Sequence, residues 1–197
     1  MMLSICLGGA GFLLFLLYDI NSFTLRSGLL HGAFGLGAAA VLAATVLDLW
    51  TAASMGAFGG VGDLLWGLGA LACLWGLIYC LFFALPFHET YQDREGHSAV
   101  QDRGAYALCR HPGVWCFLGI YLCLGAAALP SELLLHGLLF SGWNILYAVF
   151  QDLVTFPRTI CGYHEYKRYT PCLLPNGRSI RRARQTWGRP GQKEDPS

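Results

Sequence analysis

Residues 64–87 read LLWGLGALACLWGLIYCLFFALPF, a run with no Asp, Glu, Lys or Arg. A helix of about twenty apolar residues crosses the roughly 30 Å hydrocarbon layer of a bilayer. An open strand there would leave its backbone N–H and C=O groups unpaired in lipid, so the run is read as a helix. Four further stretches share the pattern: residues 1–18, 29–47, 113–131 and 133–150 also lack all four charged residue types. The 197-residue chain is 55% hydrophobic and only 13% charged, which excludes an ordinary soluble domain. The expected fold is an all-α, polytopic integral membrane helical bundle of about five transmembrane helices, followed by an amphipathic helix at the C-terminal membrane interface.

Basic residues set the expected orientation. Arg26 falls between the first and second spans; Arg94, Arg103 and Arg110 fall between the third and fourth; the other nine of the thirteen Lys and Arg follow the fifth. The remaining two connections have none. Five spans therefore put every basic residue on one side, which the positive-inside rule makes cytosolic, with the N-terminus on the other side and the C-terminus cytosolic. Residues 1–18 lack a basic leading region and a small-residue cleavage site, so they are read as an anchor rather than a signal peptide. The net charge of +1 says little, because the charges are segregated.

Cys6, Cys73, Cys80, Cys116 and Cys123 lie within the apolar runs and read as small, polarizable filler. Cys109, Cys161 and Cys172 lie on the reducing side, and no CxxC pair occurs, so neither disulfides nor a metal site are expected. Glycines within the spans allow close helix packing, and Trp50, Trp66, Trp115 and Trp143 lie near span ends, as interfacial anchors do. A single domain is expected over residues 1–175, with 1–87 as scaffold spans and 88–175 carrying the concentrated polar and aromatic side chains. Residues 176–197 form a basic tail, too polar to fold alone and expected to be disordered. Its arginines suit anionic headgroups or simply mark topology.

The candidate site gathers around two stretches. The first runs Arg103-Gly104-Ala105-Tyr106 and then Arg110-His111-Pro112, opening directly onto the fourth span. Pro112 suits a first helical turn, where its missing N–H costs nothing. With Arg110 and His111, the free N–H groups of that turn make a positively polarised corner, suited to an anionic ligand or to lipid phosphate. The second stretch begins at Gln151-Asp152 and continues through Tyr163, Tyr166, Thr170-Pro171 and Pro175. Asp152 is within sequence reach of Arg110 or Arg158, and a helix would put Tyr163 and Tyr166 on one face.

In this order, the residues Gly104, Tyr106, Arg110-His111-Pro112, Gln151-Asp152, Tyr163, Tyr166, Thr170-Pro171 and Pro175 resemble the isoprenylcysteine carboxyl methyltransferase and phospholipid methyltransferase superfamily. The resemblance covers roughly the C-terminal half. It implies a membrane-embedded enzyme that uses S-adenosylmethionine, held in a pocket at the cytosolic membrane surface, with a lipid-like or other hydrophobic acceptor entering from the bilayer. Tyr106, Arg110, His111, Pro112, Gln151 and Asp152 are the implied cofactor-binding residues. Three departures bear on the acceptor: Gln151-Asp152 replaces paired glutamates, Val114 stands where a tyrosine is usual, and Tyr147 stands where the prenyl-cysteine branch often has an arginine. These point away from a prenyl-cysteine substrate.

Methyl transfer needs alignment of donor and acceptor and exclusion of water more than an attacking side chain. Arg110 or His111 is suited to a carboxylate, Tyr106 and Trp115 to enclosing a flat ring and sulfonium, and Asp152 or His111 to taking a proton. No residue is assigned as a nucleophile or as the base. Partners expected are the lipid bilayer and the acceptor, and no nucleic acid. Two alternatives are an NADPH-dependent enzyme similar to membrane sterol reductases, though no Gly-x-Gly-x-x-Gly loop occurs, and a non-catalytic scaffold retaining the fold. A channel or transporter is disfavoured because the runs lack ionisable Asp, Glu, Lys or Arg.

Overall fold

The apolar runs form helices that pack in a bundle, antiparallel within the pairs formed by the first and second, the third and fourth, and the fourth and fifth runs, and parallel between the first and fifth. The structure is a computed structural model and describes residues 2–83 and 98–187. Residues 84–97, with the end of the third run and Arg94, and residues 188–197, with Arg189 and Lys193, lie outside the described residues. In chain order the elements are α1 (Met2–Ile20), α2 (Ala33–Ser54), α3 (Val61–Ile78), β1 (Ser98–Ala99), α4 (Ala105–Leu108), α5 (Pro112–Ala127), α6 (Leu133–Phe150), α7 (Phe156–Thr159), β2 (Ile160–Cys161), α8 (Tyr163–Tyr169) and α9 (Gly177–Thr186).

Among the described residues, four helical segments are long and apolar enough to cross a membrane: Met2–Leu25, Gly28–Ser54, Val61–Phe83 and Leu133–Thr159. The fourth run differs from its expected 113–131 extent. Its helix, α5, ends at Ala127 after 16 residues, and Ala128 closes it by donating its N–H to Leu124 O. At 1.5 Å per residue it spans about 24 Å, short of the hydrocarbon layer. Leucines and tryptophans stand exposed along the bundle, Leu13, Leu42, Leu65, Leu71, Trp75 and Leu146 among them. An apolar surface of that extent is a solvent boundary for lipid rather than water, as in a membrane-embedded protein.

Glycines set how closely the helices approach. A Cβ at Gly11 would meet Gly37 O at 2.8 Å, and one at Gly37 would meet Gly11 O at the same distance, so α1 and α2 touch backbone to backbone. Against this pair pack Phe12, Val41, Ala44, Tyr121 and Phe140, the central buried cluster. The α3–α5 seam follows a different rule. A Cβ at Gly69 would meet Cys123 Sγ at 3.0 Å, one at Gly76 would meet Cys116 Sγ at 3.0 Å, and one at Gly119 would meet Cys73 Sγ at 2.6 Å. Each thiol fills a glycine notch on the opposite helix, and the pairs run antiparallel.

Helix starts have local causes. Asp63 Oδ2 accepts from the N–H groups of Gly59 and Gly60, 2.7 Å each, so α3 begins at Val61, earlier than the charge-free run. Helix α2 likewise extends beyond its expected run and takes in Asp48. That carboxylate is buried and lies 3.0 Å from His136 Nδ1, which also faces Ser4 Oγ at 3.3 Å. Thr45 Oγ1 and Tyr121 OH pair nearby at 2.6 Å. Interhelical polar contacts of this kind contribute roughly 1 kcal/mol each in membranes. A span thus does contain an ionisable carboxylate, and here it joins α2 to α6.

At the other end of the bundle, α1, α3 and α6 each widen into a π turn: Asn21–Leu25, Tyr79–Phe83 and Gln151–Thr155. Such turns shift the helix face by one residue and recur at functional sites. They turn Asn21, Cys80 and Asp152 into the protein, where all three are buried. Residues 98–99 pair in parallel with residues 160–161, tying the segment before Tyr106 to the one that follows α6. The basic tail also departs from expectation. Asn176 Oδ1 accepts from the N–H groups of Arg178 and Ser179, 3.1 and 2.9 Å, and this cap starts the helix α9.

Candidate functional site

Arg110 and His111 form a short non-helical segment between α4 and α5. Gly104 precedes it at φ +55°, a conformation that side chains strain to adopt, and starts α4. The N–H groups of Arg110 and His111 donate to Pro171 O at 2.9 Å and Cys172 O at 3.2 Å. Pro112 occupies the first turn of α5, as its lack of an N–H favours. On the other side Gly162, at φ +74°, turns β2 into α8, whose face carries both Tyr163 and Tyr166 inward. The two stretches picked out in the sequence therefore meet at one end of the bundle.

Asp152 is where they join. Arg110 grips it with two parallel bonds, Nε to Oδ1 at 2.6 Å and an Nη to Oδ2 at 2.9 Å. Tyr163 OH donates to Oδ1 at 2.6 Å, and Lys167 Nζ lies 3.1 Å from Oδ2 and 3.0 Å from the Asp152 carbonyl. The other Arg110 Nη donates to the carbonyls of Thr170 and Lys167. Burial works against the Arg110 charge, but the bonds to Asp152 and its negative charge outweigh this and raise the guanidinium pKa. Burial, followed by the bond to Asp152, pushes the Tyr163 hydroxyl well above its ordinary range, so it stays a donor. Of the two partners foreseen for Asp152, Arg110 is the one that binds. Arg158 instead donates to Val154 O at 2.7 Å and covers the Phe23 ring.

His111 is placed differently. Its ring stacks on Phe156, centroids 5.5 Å apart and 11° from parallel. Its Nε2 lies 3.7 Å from Asp152 Oδ1, beyond hydrogen-bond reach, and is buried with no partner among the described residues. Thr170 Oγ1 is the other buried side-chain polar atom without a partner among those residues. A buried polar group left unpaired costs about 1–3 kcal/mol, so two of them on the motif residues call for an explanation such as a bound group.

The remaining candidates divide. Tyr106 donates its hydroxyl to Cys80 O at 3.1 Å, and its own carbonyl accepts from Tyr166 OH at 2.5 Å, so it ties α3, α4 and α8 together. Trp115, partly exposed, donates its indole N–H to Leu173 O at 2.8 Å. Gln151 faces away from the cluster: its amide donates to Tyr147 OH at 2.9 Å and contacts Asp19 on α1. Asp19 also accepts from Thr155 Oγ1 at 3.3 Å. The Gln151-Asp152 pair is thus split, one residue bonding to α1 and the other to the Arg110 segment.

Sequence reasoning passed over Lys167 and Phe156 as members of the cluster. The spacing of Lys167, four residues after Tyr163, was the available signal, since that interval puts both on one helical face. Nothing in the sequence marks Phe156 as the stacking partner. His111 Nε2, Asp152 and Cys172 offer ligand atoms within 4.8 Å of one another. A divalent cation there would stand against Arg110 and Lys167, which already occupy the one carboxylate, so the charge arrangement opposes it. Burial raises the Cys172 thiol pKa, which opposes it further. An apolar groove of about 390 Å³ between α3 and α5, lined by Leu64, Gly67, Leu71, Leu74, Ile120 and Leu124 among others, includes none of the cluster residues.

No protein-family model, curated protein or solved structure matches this chain. Its class rests on the fold, four apolar helices of membrane-spanning length with a shorter fifth.

Proposed function

We propose that the chain is an integral membrane methyltransferase that uses S-adenosylmethionine, with a lipid-like or other membrane-associated acceptor. The observation that carries this reading is the buried Nε2 of His111, which has no hydrogen-bond partner among the described residues, at the meeting point of the two stretches whose residues resemble that superfamily. When bound, the cofactor would supply an activated methyl group. His111 would hydrogen-bond the cofactor, Pro112 and Tyr106 would wall the pocket, and the Trp115 ring, partly exposed at the start of α5, would lie toward the bilayer side. Arg110 and Asp152, saturated by each other, by Tyr163 and Lys167 and by the Thr170 and Lys167 carbonyls, would hold the segment that carries His111 in position rather than grip the ligand. Apolar helices flanking the site would exclude water from methyl transfer. In this reading the site faces the cytosol, with the N-terminus on the opposite side.

The saturation of Arg110 and Asp152 also favours a second reading, a scaffold that keeps the fold without catalysis. Titrating purified protein in detergent with S-adenosylhomocysteine and, separately, with NADPH distinguishes them. A ligand at a hundredfold excess over its Kd stabilises the fold by about 2.7 kcal/mol. Stabilisation by S-adenosylhomocysteine alone supports the methyltransferase, by NADPH alone a reductase, and by neither the scaffold. His111→Ala is expected to abolish the S-adenosylhomocysteine shift while leaving expression intact; an unchanged shift removes His111 from the pocket.

A further inference from the structure

Helix α9 is attached to the candidate site by one face only. Arg182 forms an ion pair with Asp102, and its guanidinium lies over the Tyr169 ring at 4.1 Å. Thr186 Oγ1 accepts from the N–H of Gly104 at 3.0 Å, at the left-handed turn that starts α4. Trp187 stacks on Tyr79, centroids 6.2 Å apart, where α3 widens into its π turn. Ser179 and Ala183 complete the buried face. The helix therefore lies beside the end of the apolar helix α3 and against α4, and holds the loop that leads to Arg110 and His111.

Its other face is unlike the first. Arg178, Arg181 and Arg184 are exposed, and none forms an ion pair among the described residues. Between Glu165 and Glu194 the chain has no acidic residue at all, so nothing nearby in sequence neutralises them. Beside these arginines stand two exposed apolar side chains, Ile180 within the helix and Leu174 just ahead of it. Arginines beside exposed apolar side chains, on a helix next to the end of the membrane-spanning α3, suit a bilayer surface, where the apolar groups enter the headgroup layer. A nucleic acid would use the charge and leave the apolar residues in water.

We propose that α9 docks on the anionic phospholipid headgroups of the membrane that holds the bundle, through Arg178, Arg181 and Arg184, and so clamps the Gly104 loop of the candidate site. Lipid charge thereby sets the order of that loop. The proposal rests on the chain being membrane-embedded and does not depend on the identity of the cofactor.

The test is hydrogen–deuterium exchange on the full chain in nanodiscs of phosphatidylcholine and in nanodiscs that also contain phosphatidylserine. Exchange at the amides of residues 177–187 and 104–109 is expected to slow at least tenfold in the anionic discs, with the difference lost at high salt. The triple variant Arg178→Gln, Arg181→Gln, Arg184→Gln keeps its buried face and is expected to exchange alike in both discs. Arg182→Gln frees the latch, so the anionic lipid is expected to protect residues 177–187 but no longer 104–109. Equal exchange of the parent protein in both discs overturns the proposal. So does protection in neutral discs by an added RNA oligonucleotide where anionic lipid gives none. Failure of the chain to enter discs at all is a separate result that overturns the membrane reading itself.

Discussion

Replacing Asp152 by asparagine keeps the shape of the side chain and removes its charge, which leaves Arg110 and Lys167 facing a neutral amide in a buried setting. The parallel bonds of 2.6 and 2.9 Å from Arg110 each lose a charged acceptor, and the amide turns N–H hydrogens toward groups that can only donate. Breaking one side of a buried ion pair costs about 3–5 kcal/mol, roughly two to four powers of ten in the folding equilibrium. Half-buried Lys167 can turn outward and adds little; Arg110, fixed by the Thr170 and Lys167 carbonyls, cannot. SDS titration of the protein in mixed micelles, followed by tryptophan fluorescence, measures the loss. A cycle of Arg110→Met, Asp152→Leu and the double variant that carries both completes the test. Since an apolar pair often replaces a buried ion pair at little cost, the double variant is expected to lose at least about 2 kcal/mol less than the sum of the single ones. A loss under about 1 kcal/mol for Asp152→Asn, or simple additivity in the cycle, refutes the idea that this carboxylate joins the two stretches.

Gly125 and Gly142 offer a paired contrast. A Cβ at Gly125 would meet the Leu134 Cα at 2.7 Å, whereas one at Gly142 meets nothing within 4 Å. In the same SDS assay, Gly125→Ala is expected to lose about 1–3 kcal/mol and Gly142→Ala to stay within about 0.5 kcal/mol of the parent. His136→Ala removes the bond to Asp48 and the contact with Ser4 between α1, α2 and α6, and is expected to cost about 1–2 kcal/mol by that assay. Burial pushes the Cys109 thiol up to about 11, with a backbone hydrogen bond from His111 pulling the other way. Only about one thiol in a thousand is then thiolate at pH 8, so maleimide should label exposed Cys161 and spare Cys109 until the pH nears that value or the protein unfolds.

The spans were legible because lipid demands long charge-free runs. Residues 133–150 became the helix α6, which starts after Glu132 and runs on through its π turn to Thr159. Where a polar side chain finds a buried partner, the charge-free criterion stops too early, as at Asp48, whose His136 partner is distant in the chain. Arg110, His111, Asp152, Tyr163 and Tyr166 were all marked by the sequence, and all gather. That Gln151 bonds to α1 was not legible, because a π turn alters which face each residue takes, and hydropathy says nothing about it. For the same reason α9 looked like a tail: its charge density argues against a self-sufficient helix, and the contacts that fix it, Asp102, Gly104 and Tyr79, come from far back in the chain.

The thiol-in-glycine seam gives α3 a discrete set of resting positions. The residue numbers of facing partners add to the same total along it, so sliding α3 by one helical turn, about 6 Å, would set Cys73 directly across from Cys123 and Cys80 across from Cys116. Gly76 would then face Ile120 and Gly119 would face Leu77, both too bulky for hollows that now hold a thiol. Interlocking returns only after a full heptad, about 10.5 Å, which would drag Tyr79 and Cys80 away from Trp187 and Tyr106. The helix behaves like a key cut for one depth, and the site loop it meets inherits that setting.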